Sequence, residues 1–121
     1  MSDGTDDARL DIPPPSGSAP GSQPPWTLTA WNRKVIEGWT LVCRDIPENA
    51  ARCYNWLREH PKQRIPGRCY ELKHRQYAGV WCFEVGSGHR VYYKVREDRR
   101  DVLIYFAGRH PSKVPYPPKD A

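Results

Sequence analysis

The sequence predicts an α+β domain in which an N-terminal strand and a two-helix hairpin pack on one face of an antiparallel β-sheet. Between residues 32 and 61 apolar side chains recur at three- and four-residue steps, the repeat of an amphipathic helix. From residue 68 onward they alternate with polar ones, the repeat of a strand with one buried face. The alternating runs are separated only by short turn-forming segments, so consecutive strands must return antiparallel.

Residues 1–25 include Pro13-Pro14-Pro15-Ser16-Gly17-Ser18-Ala19-Pro20-Gly21-Ser22 and carry little apolar surface, which predicts a disordered leader, because ordering it costs entropy with little burial in return. The folded domain is expected over 26–111, beginning at Trp26 with a short strand over 27–31, rich in β-branched and aromatic residues. Asn32 is placed to cap a helix whose buried stripe is Val35, Ile36, Trp39, Val42, Cys43 and Ile46, ending near Asp45. Pro47 suits the first position of a second helix, striped by Ala50, Cys53, Tyr54 and Leu57 and closed by Pro61. Four extended runs follow at 68–74, 79–85, 89–96 and 101–108. A proline-rich tail over 112–121 is not expected to be a regular helix.

Composition narrows the function. A chain of 121 residues supports one modest core, and no apolar run approaches the roughly 20 residues of a membrane span, so the expectation is a cytoplasmic protein. Cys43, Cys53, Cys69 and Cys82 show none of the close pairing of zinc knuckles, which predicts no metal and no cofactor. Their apolar surroundings suit buried reduced thiols, although an even count also permits two disulfides. Residues 1–25 carry a net −3 and the remainder +8, within a chain total of +5. A basic body suits a polyanionic partner, since each neutralised phosphate releases condensed counterions; ordinary solubilising charge is the competing explanation.

Strand pleating assigns faces. In the 89–96 run, Val91, Tyr93 and Val95 point to the core, leaving Arg90, Tyr92, Lys94 and Arg96 as a cationic and aromatic row on the open face, where guanidinium could meet phosphate and a ring could stack on a base. Glu71 and Lys73 project from the polar side of the first run. Val102, Ile104 and Phe106 share one side of the last run, which delivers Arg109 and His110 at its end. Cleaving RNA without a metal needs a base for the ribose 2′-hydroxyl, a cation for the phosphorane and an acid for the departing 5′-oxygen. Glu71, Arg90 and His110 are residues of the required types, though a surface Glu beside Lys73 also reads as a solvated pair and a His before proline as a turn residue.

In chain order, Glu71-Leu72-Lys73-His74, Gly79-Val80-Trp81, Glu84-Val85, the segment from His89 to Val95, Val102-Leu103-Ile104 and Arg109-His110 form an ordered set of motifs. This set resembles the RelE/ParE toxin superfamily, most closely its YoeB-type mRNA interferases, specifically over 70–110 and loosely over 26–111. The resemblance implies a RelE-like fold and the toxin of a type II toxin–antitoxin system. The activity implied is a ribosome-dependent, metal-independent endoribonuclease that cuts messenger RNA and is neutralised by a cognate antitoxin. It implies Glu71 as general base, Arg90 as phosphate-stabilising arginine, His110 as general acid and Lys73 as a basic residue near the scissile phosphate. Three departures stand out: Pro111 follows the histidine where that branch usually ends in an aromatic, with Tyr116 the candidate to replace that ring; the acidic leader over 1–25 is an addition, expected to shield the basic face; and Cys82 and Phe83 stand where it often has arginines. One phosphate contact is therefore absent or falls to Arg68 or Arg75, with Arg109 as a further basic contact. The implied partners are the antitoxin, messenger RNA and the ribosome, with operator DNA reached only through the antitoxin complex. Two other functions fit the same sequence: a ParE-like gyrase poison, and a noncatalytic RNA- or ribosome-binding module.

Overall fold

The computed structural model describes residues 10–15 and 26–119. Its elements in chain order are β1 (Leu10–Asp11), β2 (Thr27–Ala30), α1 (Arg33–Asp45), α2 (Pro47–Glu59), β3 (Cys69–Glu71), a 3₁₀ turn (Arg75–Tyr77), β4 (Val80–Gly86), β5 (His89–Arg96) and β6 (Asp101–Arg109). The predicted α+β architecture is what forms. Asn32 caps α1 by accepting from the Val35 N–H at 3.1 Å, and Pro47 opens α2 at a position where its missing N–H costs nothing. Among the described residues no helix is long and apolar enough to cross a membrane.

One sheet of six strands runs in the order β1-β2-β6-β5-β4-β3. The meander from β3 to β6 is antiparallel as expected, but the sheet as a whole is mixed, because β2 lies parallel to β6 with Thr27 opposite Asp101 and Ala30 opposite Ile104. Both helices pack on one face. There Trp39, Val42, Cys53 and Leu57 meet Leu28, Phe83, Val85, Val91, Tyr93, Val102 and Ile104 in the main core.

Residues 10–15 depart from the structureless leader that the sequence predicts. Leu10 and Asp11 pair with Ala30 and Thr29, the Ile12 N–H donates to Leu28 O at 3.0 Å, and Ile12 is buried. The Trp39 indole N–H also donates to Pro13 O at 2.9 Å. Leu10 and Ile12, two residues apart, supply enough apolar surface to cover the β2 edge, and the remainder of the leader lies outside the described residues. The tail is not helical, yet residues 114 and 115 are held against the sheet: the Tyr77 hydroxyl donates to Val114 O at 3.0 Å and the Tyr105 hydroxyl to Pro115 O at 2.9 Å.

The sheet face away from the helices is therefore not an open polar surface. It carries a second apolar cluster of Val80, Cys82, Tyr92 and Tyr105, with Tyr70, Leu72, Tyr77, Phe106 and Val114 packed around it. A bulge sets part of this arrangement, since the β5–β6 register shifts between Tyr92, opposite Phe106, and Tyr93, opposite Ile104. The additional residue on β6 breaks the alternation. Phe106 consequently packs with Tyr92 rather than joining Val102 and Ile104 as the strict pattern predicts.

Candidate active site

Residues directly opposite one another across antiparallel strands share a face. Glu84 on β4 faces Arg90 on β5, and Arg90 faces Gly108 on β6. The Arg90 guanidinium lies 3.6 Å from Glu84 Oε1, and its Nη1 donates to the carbonyls of Gly86 at 2.8 Å and His89 at 3.0 Å. The chain of the tight β4–β5 hairpin thus holds the cation by its own backbone. On the other side of Glu84, the Tyr70 hydroxyl donates to Oε2 at 2.5 Å. Burial first, and then this bond, push the Tyr70 hydroxyl far above the ordinary phenol range, so it remains a donor at any physiological pH.

His110 continues the same ladder. Its N–H donates to Gly88 O at 2.8 Å, one step beyond the His89–Arg109 pair, which turns it to the Arg90 side of the sheet. It is then a diagonal cross-strand neighbour of Arg90, a relation that places two residues roughly 7–8 Å apart. The His110 ring Nδ1 lies 2.8 Å from Pro111 O. A carbonyl can only accept, so Nδ1 carries hydrogen and Nε2 is the nitrogen that can exchange a proton. Gly108, between them on β6 at φ 152°, puts no side chain across from Arg90. Glu84 on β4, Arg90 on β5 and His110, the residue just past the end of β6, thus share one face of the sheet.

Glu71 is not part of this group. It lies opposite Trp81, which lies opposite Tyr93, and both rings pack into the helix-side core. Its face is the opposite one from Arg90, at the β3 edge, where Glu71 and Lys73 line a groove of about 570 Å³ with Arg64, Tyr70, Leu72 and Trp81. The predicted cationic row is also dispersed. Tyr92 is only 3% exposed in the second cluster, and burial pushes its hydroxyl up to about 12. Arg96 is committed to the buried Asp101 carboxylate, with Nε to Oδ1 at 2.8 Å, and Lys94 is half-buried. Arg68 is exposed and donates to Glu84 O at 3.0 Å; Arg75 is exposed in the 3₁₀ turn. Arg109 reaches across the helix-side rim to Asp45, at 3.5 Å.

Glu84 is the member that the sequence reading missed. Part of its signal was available: the Gly86-Ser87-Gly88 segment marks a tight hairpin that brings Glu84 near Arg90, but the pairing depends on a bulge, since Gly86 lies opposite His89 across a two-residue turn and the register shifts between Gly86 and Glu84. The four cysteines are free. Among the described residues no group of three or more His, Cys, Asp or Glu is arranged to hold a metal ion.

Solved structures share this architecture. A YoeB/ParE toxin from Agrobacterium tumefaciens superposes with a TM-score of 0.54 at 17% identity, covering 69% of this chain and 98% of that one. The fold here is that of the YoeB/ParE toxins. A YoeB–YefM complex from Staphylococcus aureus matches at TM-score 0.54 and 13% identity, covering 71% of this chain and 98% of that chain, and a heterotetrameric YoeB–YefM complex from the same organism matches equally. No protein-family model and no curated protein matches the chain. On this YoeB-like frame the meander supplies Tyr70, Glu84, Arg90 and His110 to a single face.

Proposed function

We propose that the chain is the toxin of a toxin–antitoxin pair and acts as an endoribonuclease on messenger RNA at the ribosome, in the cytoplasm. The observation that carries this reading is that a carboxylate on β4, a fixed guanidinium on β5 and an imidazole just past the end of β6 share one face of the sheet. Those are the three groups that 2′-hydroxyl attack on a phosphodiester requires. Glu84 accepts the 2′-hydroxyl proton, Arg90 steadies the charge on the phosphoryl oxygens, and His110 Nε2 returns a proton to the 5′-oxygen as its bond to phosphorus breaks. The products are a 2′,3′-cyclic phosphate and a free 5′-hydroxyl. Tyr70 orients the carboxylate by hydrogen bonding to the oxygen remote from Arg90. In the solved complexes YoeB is bound to YefM, and a partner of acidic character would suit this chain's basic body.

Inducing the protein in cells and mapping new RNA ends, with and without Arg90→Ala, tests the reading. New ends bearing a 5′-hydroxyl inside translated frames, absent in the variant, support it. Growth arrest through DNA damage with intact messages would replace it with gyrase poisoning.

A further inference from the structure

The Gly86-Ser87-Gly88 segment joins the strands that carry Glu84 and Arg90, and its two glycines give it little stiffness of its own. The corner between α1 and α2 stiffens it from outside. The Asn49 amide Nδ2 donates to Val85 O at 2.9 Å, while its Oδ1 accepts from Arg52 at 3.2 Å. Ile46 lies against Gly86, where a Cβ would come within 3.0 Å of the Ile46 Cδ1. Asp45 Oδ2 is 3.0 Å from Nε2 of the largely buried His89 ring, and since a carboxylate only accepts, Nε2 carries the hydrogen. The same oxygen lies 3.5 Å from the Arg109 guanidinium.

His89 and Arg109 are cross-strand partners, and both turn toward the helices, so the next residue on each strand, Arg90 and His110, turns to the other face. One carboxylate thus bridges the pair that directly precedes two of the proposed catalytic groups. The bridge matters unequally to them. Arg90 is tied by Gly86 O, His89 O and Glu84, which keep it in place without Asp45. His110 joins the sheet one step past the end of β6, through its N–H to Gly88 O, and Gly88 directly precedes His89. Freeing His89 from Asp45 loosens Gly88, and with it the point from which the His110 ring projects. A displacement of about 1 Å in a reacting group can cost about 10²-fold in rate.

We infer that Asp45 is a positioning residue for the ribonuclease: through His89 and Gly88 it holds His110 where its proton reaches the departing 5′-oxygen. The inference rests on the ribonuclease reading. Its test compares a ribosome-bound message of ordinary RNA with the same message carrying sulfur in place of the 5′-oxygen at the cut site, each variant being read at a temperature where circular dichroism shows it folded. In the sulfur message the phosphorus–sulfur bond breaks with its electron pair left on sulfur, and the thiolate departs without a proton, because a thiol is far more acidic than an alcohol. On ordinary RNA Asp45→Ala should cut roughly ten- to hundredfold more slowly at saturation, with the half-saturating concentration unchanged. Asp45→Asn, which keeps an oxygen to accept the His89 N–H, should recover most of the rate. On the sulfur message Asp45→Ala and His110→Ala should both approach the wild type, while Arg90→Ala stays slow. Wild-type speed of Asp45→Ala on ordinary RNA overturns the positioning role alone. So does an equal slowing of Asp45→Ala on both messages, the mark of a general loosening of the fold. A wild type that cuts neither message overturns the positioning role together with the ribonuclease reading.

Discussion

Replacing Gly38 by alanine sets local propensity against tertiary packing, and the structure decides the sign. In an isolated helix the change would stabilise by about 1 kcal/mol. Here α1 crosses β6 at this residue, and a Cβ on Gly38 would lie 1.8 Å from Ala107 O and 2.8 Å from Ala107 C. Real Cβ contacts essentially never fall below 3.0 Å, so helix and strand must part by about 1.2 Å. The obstacle is backbone and cannot rotate away. Separation would loosen Val35, Trp39 and Val42 against the sheet, in a core where inserted volume typically costs about 1–3 kcal/mol and occasionally more. An overlap of about 1.2 Å on backbone that cannot rotate away puts the cost at or above the upper end of that range, so subtracting the propensity gain leaves a net loss of about 2 kcal/mol, which in a domain near 100 residues lowers Tm by roughly 10 °C. Thermal and urea unfolding followed by far-ultraviolet circular dichroism measure it. An unchanged or raised Tm would show that α1 does not approach β6 through Gly38.

Burial pushes the thiols of Cys43 and Cys82 up to about 11 and raises those of Cys69 and Cys53 as well. Since the thiolate is the reactive form, native protein at mildly alkaline pH should react very slowly with Ellman's reagent, and all four should react once unfolded; rapid native labelling would contradict this. Asp45 is held below its ordinary value of 3.8, first by its hydrogen bond with His89 and then by Arg109 and Arg44. A depressed carboxylate stabilises the fold above its unfolded value and loses that contribution as pH falls through the lower folded one. The stability difference between wild type and Asp45→Asn should accordingly be largest above about pH 4 and shrink on further acidification, whereas a difference that grows in acid would refute the assignment.

The helices were legible because their ends are marked chemically: Asn32 accepts at the start of α1, Pro47 opens α2 and Pro61 lies beyond its end. The strands were legible from alternation, and β5 falls where the pattern puts it, at His89–Arg96. Two kinds of information were not local. Which face a strand turns toward its neighbours depends on register, and the gap between β3 and β4, residues 72–79, is too long for turn geometry to set it, so Glu71 could not be referred to Arg90 from sequence. The Gly86-Ser87-Gly88 segment marks the hairpin, but the register shift between Glu84 and Gly86 is what sets Glu84 opposite Arg90, and nothing local in the sequence announces that bulge. The β6 bulge and the return of the tail over Tyr105 are tertiary choices. They turned Tyr92 from an expected exposed stacking ring into a buried one.

Cleavage of a ribosome-bound messenger RNA by Glu84→Gln and Glu71→Gln proteins, each first shown to melt like wild type, tests most directly whether Glu84, Arg90 and His110 act as one site. The rate should fall roughly 10²–10⁴-fold in Glu84→Gln, the usual contribution of a general base, and stay at the wild-type value in Glu71→Gln. The reverse outcome, with Glu71→Gln inactive and Glu84→Gln undiminished, would contradict the placement of the chemistry on this face of the sheet.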